Sequence, residues 1–295
     1  MSRKSERKVL KLFAPYRAPA GKRFRLENFD PSDTAGFAMD DREHEEILQE
    51  GVRMLADLQG RLYAQDRWGI LVILQAMDAA GKDSTIKHVM SGVNPQGVQV
   101  SPFKVPSPEE LDHDFLWRAA RRLPERGQIG IFNRSYYEEV LIVKVHPAIL
   151  RGQKLPEELI TPEIWSERYE DINAFERYLS RNGYRVLKFF LHVSKKEQKR
   201  RFLERLDKKE KNWKFSLDDV RERAFWKDYM KAYEEAIAAT STPWAPWYVV
   251  PADHKWFTRL VVASAIVGEM QKLDLRYPKL DKAKREELAA ARRDL

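Results

Sequence analysis

Residues 68–75, WGILVILQ, form an unbroken apolar run rich in branched side chains, and the run passes directly into QAMDAAGKDST. A strand with no polar alternation has both faces buried, which is the condition of a parallel sheet covered by helices. That single run already restricts the chain to an α/β architecture. The rest of the sequence repeats the pattern. Strands are expected at 97–103, 128–132, 185–193 and 247–250, and helices from near Asp40 with Leu48, Val52, Leu55, Leu58 and Leu62 as its apolar face, at 107–122, 135–145, 162–182, from Lys195, through about Ala239, and at 256–273. Five strands alternating with helices predict three layers, with a largely parallel five-stranded sheet in the middle.

The phosphate-handling features sit where this fold would place a ligand. In a phosphate loop, a glycine turn between strand and helix aims backbone N–H groups at phosphate oxygens, a lysine adds charge, and the helix N-terminus adds its dipole. Gly81 and Lys82 match that pattern, Ala76 stands where the first glycine is usual, and Asp83, Ser84 and Thr85 follow the lysine. Asp78 and Asp83 are unusual beside an anion. Carboxylates repel phosphate unless a cation stands between them, so Asp78 is a candidate ligand for Mg2+. Asp83 reads equally well as part of the phosphate loop or as a helix N-cap.

The third strand leads into FNRSYYEEV, residues 132–140. Arg134 at its end is a candidate for neutralising phosphoryl charge, and Glu138 or Glu139 for helping to hold metal. Downstream of the fourth strand, Arg201, Arg205, Lys211 and Lys214 are expected to form a basic lid that closes over phosphates and excludes water. Trp213 and Phe215 are expected to pack that lid on the body, and the aromatic cluster at 243–251 to be core and turn.

Charge placement supports a polyanionic ligand. The net charge is +8, yet residues 1–25 and 195–215 carry local charges of +8 and +6, so the remainder is acidic by −6. The six histidines show no HxxxH or HExxH spacing, GxSxG is absent, and no cysteine is present for thiolate chemistry or disulfides. No apolar run reaches the roughly 18 residues of a spanning helix, and the basic start lacks an apolar leader core, so a cytoplasmic protein without a membrane partner is expected.

Taken in order, QAMDAAGKDSTIKHV, NPQGVQVSPFKVPSPEELDHDFLWR, FNRSYYEEV, EQKRRFLERLDKKEKNWKFS and TSTPWAPWYVVPADHKWF resemble the polyphosphate kinase type 2 family from about Gly21 to Tyr277. The resemblance implies a thymidylate-kinase-like P-loop fold with a helical lid, a homodimer or homotetramer, and Mg2+ (or Mn2+) as cofactor. It implies phosphoryl transfer between inorganic polyphosphate and AMP, ADP or ATP, with no nucleic-acid partner. By position, Asp78 matches the metal-binding carboxylate, Lys82 the phosphate lysine, Arg134 the arginine after the third strand, and Arg201 or Arg205 with Lys211 the basic lid. One departure stands out: many members have Asp before that arginine, whereas this chain has Asn133, a neutral and weaker metal ligand. Asn at this place and the Glu138-Glu139 pair resemble the single-domain subgroup that accepts both AMP and ADP. By analogy with monophosphate sites of nucleotide kinases, Lys104, Asp114 and Arg118 are assigned to the nucleotide.

The organisation expected is a basic lead-in over 1–40, one phosphotransferase domain over 41–277 with its lid at about 200–217, and a charged tail over 278–295. Two alternatives compete. An ATP-dependent nucleotide or nucleoside kinase would want Ser or Thr at position 83 and a less basic lid. A non-enzymatic nucleic-acid-binding protein leaves Asp78 and Asp83 beside Lys82 without a purpose.

Overall fold

The computed structural model describes residues 12–37 and 41–295; the basic residues from Arg3 to Lys11 lie outside them. Five strands, β1 (Gly69–Gln75), β2 (Val98–Pro102), β3 (Ile129–Asn133), β4 (Tyr184–His192) and β5 (Trp247–Pro251), form one sheet in the order β2-β3-β1-β4-β5. All four pairings are parallel. Every residue of β1 is buried, as the unbroken apolar run requires. The principal helices are α1 (Asp41–Gln65), α2 (Lys82–Val89), α3 (Ile164–Arg181), α4 (Lys195–Asp207), α5 (Trp226–Thr240) and α6 (Lys255–Met270).

The sheet order matters for function. The chain leaves β1, runs to the edge at β2, returns through β3 beside β1, and then crosses to β4 on the other side. Strand order therefore reverses at β1, and a crevice opens at the carboxyl ends of β1 and β3, the usual ligand position in such sheets. The residues after β1 are the glycine-lysine loop, and the residue after β3 is Arg134.

Some expected helices break. The stretch 107–122 forms two short helices, Pro108–Leu111 and Trp117–Ala120. Ser107 caps the first through a reciprocal box with Glu110, and the Asp114 carboxylate takes the Leu116 N–H at 2.9 Å, which fixes a turn between them. The stretch 135–145 begins instead as a 3-10 helix, Tyr136–Val140, and only Ile142–Val145 is α-helical. Beyond α4 the chain folds as a 3-10 helix, Lys209–Lys214, and a short helix, Leu217–Glu222. The tail forms a helix over Lys282–Asp294 that is largely exposed.

The lead-in is not separate from the core. Phe24 is fully buried, Leu12, Tyr16 and Leu26 are buried in the same core, and the Ala18 N–H donates to the Trp247 carbonyl at 2.9 Å. The 243–251 aromatics Trp247 and Tyr248 are core residues, as expected.

Candidate active site

The loop after β1 is shaped by backbone conformation first. Gly81 is the N-cap of α2 with φ 110°, a left-handed value that a side chain resists. Ala79 (φ 63°) and Arg134 (φ 64°) adopt the left-handed region without being glycine. Such conformations cost about 1 to 3 kcal/mol each and persist where surrounding contacts enforce them. Around Ala79, the contacts that hold the loop come from α4. Gln198 Nε2 donates to the Asp78 carbonyl at 2.9 Å, and Arg201 Nη1 donates to the carbonyls of Ala79 and Ala80 at 3.0 and 2.7 Å. Because a trans peptide points its N–H opposite its carbonyl, the N–H groups of Ala79 and Gly81 face away from α4. Both residues line the cleft.

That cleft holds about 690 Å³ and is bordered by Asp78, Lys82, Asp83, Ser84, Asn133, Arg134, Arg201, Arg205 and Lys211. The two carboxylates, three of the expected lid cations and the phosphate loop are therefore brought together. Lys82 Nζ donates to the Ala76 carbonyl at 2.8 Å. Burial lowers its pKa, against the opposing pull of Asp78. Arg134 Nη2 pairs with Asp78 Oδ1 at 2.8 Å. Burial works against the charge on Arg134, but Glu138 and Asp78 outweigh it and raise its pKa. Asn133 Nδ2 donates to Asp83 Oδ1 at 2.7 Å, which bridges the ends of β3 and the loop.

Three expectations need correction. Asp83 is not the N-cap of α2, since Gly81 occupies that place and Asp83 lies in the first turn. Arg201 is not a mobile lid cation. It is 4% exposed, and besides the loop carbonyls it binds those of Ala252 and Asp253 and the Glu197 carboxylate. Its five donors are spent on architecture. Trp213 does not pack the lid on the body, being 77% exposed. Glu138 lines the neighbouring chamber beside Arg134, its carboxylate takes a hydrogen bond from the Gln75 amide at 2.9 Å, and burial raises its pKa against the charges of Arg134 and Lys82.

The remaining lid cations hold carboxylates. Arg205 Nη1 lies 3.2 Å from Asp219 Oδ2, and Lys211 Nζ lies 2.6 Å from Glu204 Oε1. Glu204, paired with Lys211 and Lys208, is held down at about 2. The side chain of Lys214 lies outside what is described. Asp219 went unnoticed in the sequence because it lies beyond the basic stretch, next to Asp218 in the first turn of the Leu217–Glu222 helix, where acids are ordinary. Its pKa is raised by burial and then by the negative charge of Asp78.

Phe103, Lys104 and Arg134 also border a second chamber of about 600 Å³. By area its wall is mainly apolar, including Val105, Phe115, Ile142, Ile149 and Leu155, and charged side chains such as Glu110, Asp112, Glu139, Lys154 and Arg168 also border it. Lys104, Asp114 and Arg118 all line it. Arg118 Nη1 donates to the Lys104 carbonyl at 2.8 Å and its guanidinium stands 5.3 Å from the Phe103 ring centre. Cavities of this size and lining suit a small organic ligand.

Comparison with known proteins agrees with this geometry. The family described as Polyphosphate kinase 2 matches residues 38–278. An ADP-polyphosphate phosphotransferase of Rhodopseudomonas palustris is 52% identical over 266 residues, covering 90% of this chain and 92% of the relative. An AMP/ADP-polyphosphate phosphotransferase of Meiothermus ruber is 44% identical over 268 residues, covering 91% and 96%. The crystal structure of polyphosphate kinase 2 from Arthrobacter aurescens TC1 superposes with a TM-score of 0.84 at 39% identity, over 94% of this chain and 95% of that one.

Proposed function

The chain belongs to the polyphosphate kinase 2 family, and on that premise we propose that it transfers a phosphoryl group from inorganic polyphosphate to ADP and AMP. One observation carries the reading beyond kinship: a charged cleft and an apolar chamber meet at Arg134, Phe103 and Lys104. A polyanion on one side and a nucleoside on the other would place their phosphates against the same arginine. Relatives named for ADP and for AMP and ADP support both acceptors.

In the proposed step, a terminal phosphate oxygen of the nucleotide attacks the end phosphorus of polyphosphate in line, and the P–O bond to the next phosphate breaks. The shortened chain leaves with that oxygen. The attacking oxygen, with a pKa near 6, is already largely ionised at neutral pH, so no strong base is needed. Lys82, Arg134, the loop N–H groups, Arg205 and Lys211 would stabilise charge on the transferred group, which is the main catalytic task in such chemistry.

Magnesium fits the residues present. Among the described residues no group of three acidic or histidine side chains is arranged to hold a metal ion. Mg2+ commonly takes one or two carboxylates and completes its shell with water and substrate phosphate oxygens. Asp78, with Asp83 and the Asn133 amide oxygen beside it, supplies that partial set; Mn2+ would suit the same donors. Glu138 would act from the acceptor side. When bound, the ion would neutralise phosphate charge and make the carboxylates tolerable in an anion site.

The same reading carries a cytoplasmic homodimer or homotetramer with no nucleic-acid or membrane partner. Among the described residues no helix is long and apolar enough to cross a membrane. The test is to supply Mg2+, ADP or AMP, and polyphosphate as sole donor, and to follow ATP. ATP formation is expected; transfer from ATP to a nucleoside with none from polyphosphate would replace this reading with the ATP-dependent kinase.

A further inference from the structure

Most cations of the phosphate cleft already hold a carboxylate. Arg134 holds Asp78, Arg205 holds Asp219, Lys211 holds Glu204 and Arg201 holds Glu197. Lys104 and Lys255 also border the cleft, and among the described residues neither side chain makes a hydrogen bond or an ion pair. Lys104 follows β2 and borders the apolar chamber as well, whereas Lys255 opens α6 after β5 and does not. Strands β2 and β5 are the two edges of the sheet and β1 is its middle. The unpaired lysines therefore stand on opposite sides of the glycine-lysine loop.

Lys255 is exposed, and the backbone that carries it is fixed relative to the loop. Arg201 Nη1 binds the carbonyls of Ala79 and Ala80, and its Nη2 binds those of Ala252 and Asp253. One buried guanidinium thus ties the phosphate loop to the turn that delivers Lys255. Partial burial and then Arg201, with Lys211 and Arg200, lower the pKa of Lys255, against the pull of Glu204. Like charges gathered in this way repel, and a polyanion laid among them relieves the repulsion.

In-line transfer sets the direction in which the donor runs. The attacking and leaving oxygens stand on opposite sides of the transferred phosphorus. An acceptor in the apolar chamber comes to Arg134 from the side of β2 and β3, so the leaving chain extends over the loop toward β4 and β5. We propose that Lys255 is a donor-binding, specificity-determining residue that holds distal phosphates of polyphosphate, beyond the transferred group and its neighbours on the loop, and so favours long donors over short ones. This rests on the proposed function in taking polyphosphate as the donor and the chamber as the acceptor site.

The experiment compares long-chain polyphosphate with inorganic triphosphate as donors, at saturating ADP and Mg2+, in the native enzyme, Lys255→Gln and Lys255→Arg. In Lys255→Gln the KM for the long chain, counted per chain, should rise roughly tenfold, the loss of one hydrogen bond between charged groups. The KM for triphosphate should rise much less, so that the native preference for the long donor shrinks, and Lys255→Arg should restore it. The melting temperature of Lys255→Gln should not fall, because the lysine has no protein partner to lose. An unchanged KM for the long chain, an equal rise for both donors, or a rise in the KM for ADP instead overturns the proposal. Equilibrium binding of long-chain polyphosphate without nucleotide separates it from the underlying reading. If the native protein binds the chain, Lys255→Gln binds it roughly tenfold more weakly and neither makes ATP from it, the transferase reading falls and the subsite stands. If ATP forms and the two proteins bind and use the long chain alike, the function stands and only the role of Lys255 is wrong.

Discussion

Arg134 Nη2 sits 2.8 Å from Asp78 Oδ1, so the cation after β3 and the carboxylate of the loop after β1 hold each other across the carboxyl ends of adjacent strands. Each is about one-third exposed. The pair prepares opposite charges at one point, and it keeps a carboxylate from facing phosphate unshielded. Asp78→Asn would keep the shape and a hydrogen bond to Arg134 while removing the charge. A loss of kcat on the order of 10² or more is expected, comparable to removing one preorganised electrostatic group, and Lys82→Ala should cost as much. Steady-state kinetics at saturating polyphosphate and ADP checks both, and near-native turnover in either variant would remove that residue from the site.

The lid arginines differ in kind. Arg201 is buried and serves four backbone carbonyls and Glu197, whereas Arg205 faces Asp219 at a partly exposed site. Arg201→Ala should therefore destabilise the fold by roughly 3 to 5 kcal/mol, since it leaves Glu197 and several carbonyls without their partner. Arg205→Ala should leave the melting temperature nearly unchanged and raise the KM for polyphosphate. Asp219→Asn should lower that KM, because it removes the anion that competes with phosphate for Arg205. Paired melting curves and KM values check the contrast; equal thermal losses in Arg201→Ala and Arg205→Ala would mean that the two play one role.

That contrast also marks how far sequence reasoning reaches. The inner strands were legible because a strand buried on both faces needs consecutive apolar residues, as Ile70 through Leu74 supply in β1, whereas the edge strand β2, VQVSP, is mostly exposed and showed only as a short β-branched run. The phosphate loop was legible because Gly81-Lys82 falls between such a strand and a helix. The role of Arg201 was not, because a charge run shows how many cations there are and not which of them turns inward. The buried positions of α4 are Gln198, Arg201 and Phe202, a spacing of three and four that was present in the sequence with a cation on the inner face. Glu138 and Glu139 were read as one acidic pair. A 3-10 turn sends them to different partners, and only three-dimensional neighbours decide that.

His192 at the end of β4 gives a pH dependence of stability. Burial pushes its pKa down to about 4 from the usual 6.5, against Asp253 and Asp30, which favour the charged form. A folded-state pKa below the unfolded one means that the unfolded chain binds the proton first. Stability from this group is complete above pH 6.5 and is lost progressively as pH falls toward 4, by up to about 3 kcal/mol. Denaturant titrations between pH 7 and 4 should show that slope, and His192→Gln should flatten it. A slope of equal size in the variant would assign the effect to other groups.

Asn133 tests the metal assignment through its contact with Asp83. The amide nitrogen donates to Asp83 Oδ1 at 2.7 Å. Asn133→Asp exchanges that donor for a second carboxylate at hydrogen-bond distance, and two carboxylates so close cannot both ionise without a cation or a shared proton. Without metal the variant should lose stability near neutral pH. With Mg2+ the enlarged set of hard oxygen donors should bind the ion more tightly, so the rise in melting temperature on adding Mg2+ should exceed that of the native protein. The ratio of AMP to ADP turnover should change as well, since the extra negative charge stands between Asp83 and Arg134 where the acceptor phosphates approach. A thermal titration with Mg2+ that shows no larger shift would place the ion away from Asn133.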